Sequence, residues 1–194
     1  MYKAVIFDFF GVFCTPIATN WFKKTVPDYD VKLPALQALC TQSDLGRLSR
    51  AEFNAAASTL SGVPVDQVAW GIEAETVIDT ALVAYAQELK ADGYRIACLS
   101  NGSHEWTLQV INDNGLRDLF EEIVLSGDLG IVKPSPEIYT YTFDKLGLKP
   151  SQAIFVDDRK ANTDAAEACG IRSLVFSDTP TFIKELKVFI KENN

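Results

Sequence analysis

The sequence predicts a doubly wound, Rossmann-like α/β fold, with a parallel sheet of about five strands and a small helical cap inserted after strand one. Three observations carry this reading. Five strand-length apolar runs lack polar/apolar alternation, as expected of strands buried on both faces of a parallel sheet. Helix-period segments that stop at glycine separate the later runs. One gap, Val12 to Arg95, is far longer than a single crossover requires.

The runs are Ala4–Phe7, Ile96–Leu99, Ile123–Leu125, Ala153–Val156 and Ser173–Phe176, each rich in β-branched or aromatic residues. Helices are expected at Glu105–Asn114 before Gly115, Pro136–Lys145 before Gly147, and Lys160–Cys169 before Gly170. A final helix starts where Thr179 can cap and Pro180 takes the first helical position. In the long gap, Thr76–Asp92 before Gly93 supplies the crossover helix. The remainder contains no strand pattern, and its periodic pieces near Leu33–Cys40, Ala51–Leu60 and Val65–Ile72 read as short helices. The expected division is therefore an α/β core of 1–14 and 76–194, with a helical cap of 15–75.

Composition narrows the function classes. A hydrophobic content of 47% against 23% charged is globular, and 194 residues suffice to bury a core unaided. No apolar run approaches the roughly 20 residues that span a bilayer. The net charge of −8, without a basic stripe, argues against nucleic acid and anionic membrane as partners. Cys14, Cys40, Cys98 and Cys169 form no CxxC pair, so neither a zinc knuckle nor a dithiol redox motif is present. The opening apolar run is too short for a signal peptide, and with free thiols the expected location is the cytoplasm.

In open parallel sheets, ligands bind beyond the carboxyl ends of the strands. Strand one ends at Asp8, followed by Phe9, Phe10 and Gly11. Strand two ends at Ser100-Asn101-Gly102, strand three leads to Lys133-Pro134, and strand four ends at Asp157-Asp158. Singly, each is an ordinary turn or cap residue. Together they bring three carboxylates, a hydroxyl, an amide and an ammonium to one edge. Clustered carboxylates repel unless a cation neutralises them, and hard oxygen ligands select Mg²⁺. Asp8 can act as a nucleophile, Lys133 can neutralise it and the transferring group, and Ser100 can bind phosphoryl oxygens.

These residues sit in four segments, VIFDFFGVF at 5–13, CLSNGS at 98–103, KPSPEIY at 133–139 and IFVDDRKAN at 154–162. In that order and spacing the chain resembles the haloacid dehalogenase superfamily. The stretch SDLGRLSRAEF at 43–53 is similar to caps of its sugar-phosphate phosphatase and epoxide hydrolase N-terminal domain subgroup. The resemblance implies a Mg²⁺-dependent phosphatase of a small phosphorylated metabolite. It implies Asp8 as nucleophile, Ser100 and Asn101 as phosphate ligands, and Lys133 as the stabilising cation. It also implies that Asp8, the Phe10 main-chain carbonyl, Asp157 and Asp158 hold the metal.

One position departs from the family pattern. Phosphatases of the family usually carry an acid/base Asp where this chain has Phe10, and that help is worth roughly 10²–10⁴-fold. A slow phosphatase, one that recruits another acid, and a protein that is not a phosphatase all stay open. An aromatic residue at this position resembles the 2-haloacid dehalogenases, whose leaving halide needs no proton. The Asp157-Asp158 pair leans instead to the metal-dependent phosphatases. A catalytically degenerate binding module is the third class. His104, the single histidine, is expected to cap or start a helix, and Trp106, Trp21 and Phe22 are expected to pack. Arg47 is not assigned to the site.

Overall fold

A computed structural model describes residues 1–192. Its five strands lie where the apolar runs predict them: β1 (Ala4–Phe7), β2 (Arg95–Ser100), β3 (Glu122–Leu125), β4 (Ala153–Asp157) and β5 (Arg172–Val175). All pair in parallel, in the order β3-β2-β1-β4-β5. The strand order therefore reverses between β1 and β4, and a reversal of this kind opens a crevice at the carboxyl edge. The register sets Phe7 opposite both Cys98 and Val156, so Asp8 and Asp157 leave the sheet side by side.

Between β1 and β2 the chain forms α1 (Ile17–Thr25), α2 (Tyr29–Asp44), α3 (Arg50–Ser61), α4 (Val65–Glu73) and the crossover α5 (Thr80–Ala91). The expected helices in this gap are α2, α3 and α4, while α1 adds one that the periodicity did not predict. The periodic piece that marks α2 spans Leu33–Cys40, although a proline lacks an N–H and is disfavoured in a helix interior. The helix nevertheless starts one turn earlier and carries Pro34 inside it. Helix α3 has a full capping box: Ser49 Oγ accepts from the Glu52 N–H, and the Glu52 carboxylate accepts from the Ser49 N–H. The two connections to the insert run antiparallel. Asp79 N–H donates to Phe13 O at 2.9 Å, and Thr15 N–H donates to Val77 O at 3.1 Å.

After β2 come α6 (His104–Asp113), α7 (Ser126–Leu129), α8 (Pro136–Leu146), α9 (Lys160–Ala168) and α10 (Thr179–Glu192). Strand side chains alternate between two cores, as the period of two demands. Val5, Phe7, Ile96, Cys98, Ile154 and Val156 pack with α5, α6, α10 and the insert. Ala4, Ile6, Ala97, Leu99, Ala153 and Phe155 pack with α8 and α9. One detail at α10 differs from expectation. Asp178 is the cap, accepting the Thr181 N–H at 2.9 Å, and the Thr179 hydroxyl instead donates to Asp79 at 2.6 Å. Asp79 also caps α5, so one carboxylate ties two helix starts together. Among the described residues, no helix is long and apolar enough to cross a membrane.

Candidate active site

Asp8 stands just past β1, buried, with Oδ1 accepting three donors. These are Phe9 N–H at 2.6 Å, Ser100 Oγ at 2.8 Å and Lys133 Nζ at 3.0 Å. Among the described residues no hydrogen bond reaches Oδ2, which leaves that oxygen free for chemistry. Lys133 is fully committed: besides Asp8, its Nζ donates to Leu99 O at 2.7 Å and to Asp157 Oδ2 at 2.7 Å. Its backbone is clamped by Asn101, whose Oδ1 accepts the Lys133 N–H at 2.8 Å and whose Nδ2 donates to Lys133 O at 2.9 Å.

Asp157 is buried and saturated. Asn162 Nδ2 lies 2.9 and 3.0 Å from its two oxygens, Arg159 N–H donates to Oδ1 at 2.9 Å, and Lys133 holds Oδ2. The Asn162 carbonyl in turn accepts from Tyr139 Oη at 2.8 Å. Asp158 is exposed and packs over Gly11, where a Cβ would sit 2.4 Å from its carboxylate. Gly11 also has φ +95°, so glycine is required there twice over.

Burial pushes the Asp8 carboxyl up to about 7. The Lys133 ammonium pulls it back and the Asp157 charge pushes it further up. Burial works against the Lys133 ammonium, yet Asp8 and Asp157 outweigh it and the amine is held above its usual range. Asp158 is raised by burial and then by Asp157. One oxygen from each of Asp8, Asp157 and Asp158 lies within 4.8 Å of the others. These are hard oxygen donors, three carboxylates beside one ammonium, a set that fits Mg²⁺.

Above Asp8 opens a cavity of about 730 Å³. Its floor is Asp8, Phe10, Asn101, Gly102, Asp158 and Arg159, and the insert supplies a largely apolar wall from Ile17, Tyr29, Leu33, Leu36, Phe53 and Ile72. Phe10 faces this space beside Gly102, with its ring edge-on to Phe9 at 5.1 Å. The insert is pinned to the floor through Ser126, whose Oγ donates to Asp44 O at 2.5 Å and accepts the Gly102 N–H at 3.0 Å. Arg50 makes a second tie, reaching Glu73 on its own side and stacking 4.2 Å above the Trp106 ring of α6.

Asp8, Ser100, Lys133, Asp157 and Asp158 therefore converge, but they do not all line the cleft. Asp8 and Asp158 face the cavity, while Ser100, Lys133 and Asp157 form a buried layer beneath. Asn101 lines the cavity, with its side-chain amide spent on Lys133. Trp21 and Phe22 lie in the core, and His104 starts α6 with Nδ1 2.8 Å from Asp128 Oδ1. Trp106 does more than pack. Its indole N–H, Ser103 Oγ and Thr107 Oγ1 are buried against the cavity without a hydrogen-bond partner among the described residues. The i, i+3, i+4 spacing of 103, 106 and 107 could have flagged a shared face. Asp44 and Asn162 fall within the family-like stretches 43–53 and 154–162 but are assigned no role from sequence, and Ser126, just past the third strand, lies outside them.

The chain belongs to the haloacid dehalogenase-like hydrolases, whose family model matches residues 2–170. Bifunctional epoxide hydrolase 2 of Rattus norvegicus is 26% identical over 121 residues, 57% of this chain and 21% of that protein. (S)-2-haloacid dehalogenase 4A of Burkholderia cepacia is 31% identical over 88 residues, 45% of this chain and 38% of that one. The chain thus matches only a minor part of the length of these two relatives. Sesquiterpene phosphatase astK of Aspergillus oryzae is 25% identical over 197 residues, 97% of each chain. Among solved structures, a HAD family enzyme of Bacteroides thetaiotaomicron in complex with magnesium and inorganic phosphate superposes with TM-score 0.76 and 23% identity. That match covers 91% of this chain and 95% of the other.

Proposed function

We propose that the protein is a Mg²⁺-dependent phosphatase that works through an aspartyl-phosphate on Asp8. The observation that carries this is the charge balance of the site. Buried Asp8 and Asp157 share the single Lys133 ammonium, exposed Asp158 adds a third carboxylate at the cavity floor, and such a cluster of oxygen donors calls for a divalent cation. Asp8, Asp158, the Phe10 carbonyl and, directly or through water, Asp157 would hold Mg²⁺, which supplies charge neutralisation to nucleophile and phosphoryl group alike.

This chain's own residues do the rest. Ser100, Lys133 and the Phe9 N–H hold Oδ1 of Asp8, which turns Oδ2 toward an incoming phosphorus. Lys133 lowers the cost of ionising Asp8 from beneath the cavity floor and adds its positive field to the site where the phosphoryl charge develops. Asn162 and the Arg159 N–H fix the position of the Asp157 carboxylate, and Asp157 keeps Lys133 in place. Residues 15–75 act as a cap on the core of 1–14 and 76–194, and the cap wall determines which leaving group fits. That wall is mostly apolar, and opposite it the core residues Trp106, Ser103 and Thr107 carry unpaired polar atoms. A phosphate monoester with an apolar body and at least one oxygen acceptor suits it, in keeping with the terpenoid phosphatase similar over its full length.

The test is a panel of phosphate monoesters and 2-haloacids, each with Mg²⁺ and with chelator. Chelator-sensitive phosphate release supports the proposal. Metal-independent halide release would replace it with the dehalogenase reading, which the aromatic Phe10 and the haloacid dehalogenase relative favour. Silence on both would leave a ligand-binding module.

A further inference from the structure

With Phe10 in the cavity floor, no carboxyl stands two residues after the nucleophile to protonate the departing alcohol. We propose that Asp44, the last residue of α2, protonates the leaving oxygen from the cap side of the cavity. This rests on the phosphatase reading above.

Asp44 lines the same cavity as Asp8, Phe10 and Asp158. It is half-buried, and among the described residues its carboxylate makes no hydrogen bond or ion pair. A carboxylate at a helix C-terminus also faces the negative end of the helix dipole, where cations are preferred. Such a breach of local preference, with no hydrogen bond or ion pair to offset it among the described residues, marks functional positions.

The position is fixed as well as unusual. Ser126 bridges the Asp44 carbonyl to the Gly102 N–H, two residues beyond the Ser100 that bonds Asp8. Two residues on, Gly46 has φ +67°, and a Cβ there would meet Gly127 O at 2.2 Å. The loop carrying Asp44 thus sits backbone-to-backbone on the core, which gives an acid the defined placement that proton transfer needs.

Protonation is supplied by the surroundings. Burial pushes the Asp44 carboxyl up to about 6, while Lys133 and Arg159 draw it back down. Across the cavity stand the carboxyls of Asp8 and Asp158. One turn earlier on α2, Cys40 is a neutral thiol, pushed up to about 12. A carboxyl in that range carries a useful fraction of acid near neutral pH and is ready to act as a base after giving up its proton.

In the first step an Asp8 oxygen bonds to phosphorus as the ester P–O bond breaks. The electron pair goes to the ester oxygen, which takes the Asp44 proton and leaves as an alcohol. In the second step water bonds to phosphorus and gives a proton to the Asp44 carboxylate. The bond to Asp8 then breaks, phosphate is released and both residues return to their starting states.

Leaving-group acidity separates this role from a structural one. First-turnover rates are measured by rapid quench with Mg²⁺, on hexyl phosphate and on p-nitrophenyl phosphate, whose phenolate departs without a proton. Asp44→Asn should slow the first turnover of hexyl phosphate by about 10²-fold or more, while leaving the nitrophenolate burst within about threefold. Later turnovers should slow for both esters. An equal loss on both first turnovers, or no loss on hexyl phosphate, overturns the proposal while leaving the phosphatase reading intact. If the variant does not fold, the wild-type protein still decides. Its first-turnover rates on phenyl phosphates of graded leaving-group acidity should be nearly flat, and a steep fall toward poor leaving groups overturns the role. Wild-type protein that releases no phosphate from any ester would instead remove the phosphatase reading itself.

Discussion

Stripping divalent metal from the protein and raising the pH from about 5 to about 8 should destabilise it through Asp8. The unfolded carboxyl titrates near its ordinary value of 3.8, whereas burial and Asp157 hold the folded one at about 7 despite Lys133. Between those values the native state binds more protons than the unfolded chain, so stability falls as pH rises. The full interval is worth about 4 kcal/mol, and the part between pH 5 and 7 about 3 kcal/mol. In a domain of this size that is a fall in melting temperature of roughly 6–12 °C. The assay is thermal unfolding in chelator at the two pH values, with Asp8→Asn as the control that lacks the titrating group. Mg²⁺ should restore the loss at pH 8 and do little at pH 5, because it competes with the proton for the same oxygens. A wild-type pH profile identical to that of Asp8→Asn in chelator would refute the reasoning. So would an equal Mg²⁺ effect at both pH values.

Lys133→Met removes the one ammonium between Asp8 and Asp157 and should cost about 3–5 kcal/mol by denaturant unfolding, more at pH 8 than at pH 5, with Mg²⁺-dependent turnover lost. In the Asp44→Asn background, Phe10→Asp should recover Mg²⁺-dependent turnover of an alkyl phosphate by about 10-fold or more by adding an acid two residues from the nucleophile, and Asp8→Asn in the same chain should abolish the gain. Gly11→Ala drives a methyl into the Asp158 carboxylate at a backbone angle that favours glycine. It should weaken Mg²⁺ binding by about 10-fold or more, read by calorimetry, and destabilise the fold by at least about 1 kcal/mol.

The sheet was legible because buried parallel strands write themselves as continuous apolar runs, and β1 begins and ends where Ala4–Phe7 does. Asp8, Ser100, Lys133, Asp157 and Asp158 were legible because the fold sends ligands to the carboxyl edge, and strand ends can be read from the runs. Their layering was not. Whether Lys133 lines the cleft or lies under it depends on the Asn101 clamp and on Leu99 O, contacts between segments distant in sequence. Helix α1 escaped because its buried side, Ile17, Trp21 and Phe22, is too short to display a period. Asp44 escaped for a related reason: its sequence context is that of a helix end, and only the tertiary approach to Gly102 and Gly127 gives it meaning. Trp106 was read as packing, and packing does account for its ring, stacked under Arg50, but not for its unpaired N–H.

The most direct test of the whole account is a single turnover of a phosphate monoester in ¹⁸O-water with Mg²⁺, followed by mass analysis of the released phosphate and of the peptide containing Asp8. The account predicts that an acid quench before completion traps phosphate on Asp8, and that the heavy oxygen ends in inorganic phosphate with none in Asp8. Heavy oxygen in the Asp8 carboxyl would mean that water attacks the carboxyl carbon, as in ester-type dehalogenation. Phosphate release with no trapped adduct, persisting in Asp8→Asn, would contradict the account outright.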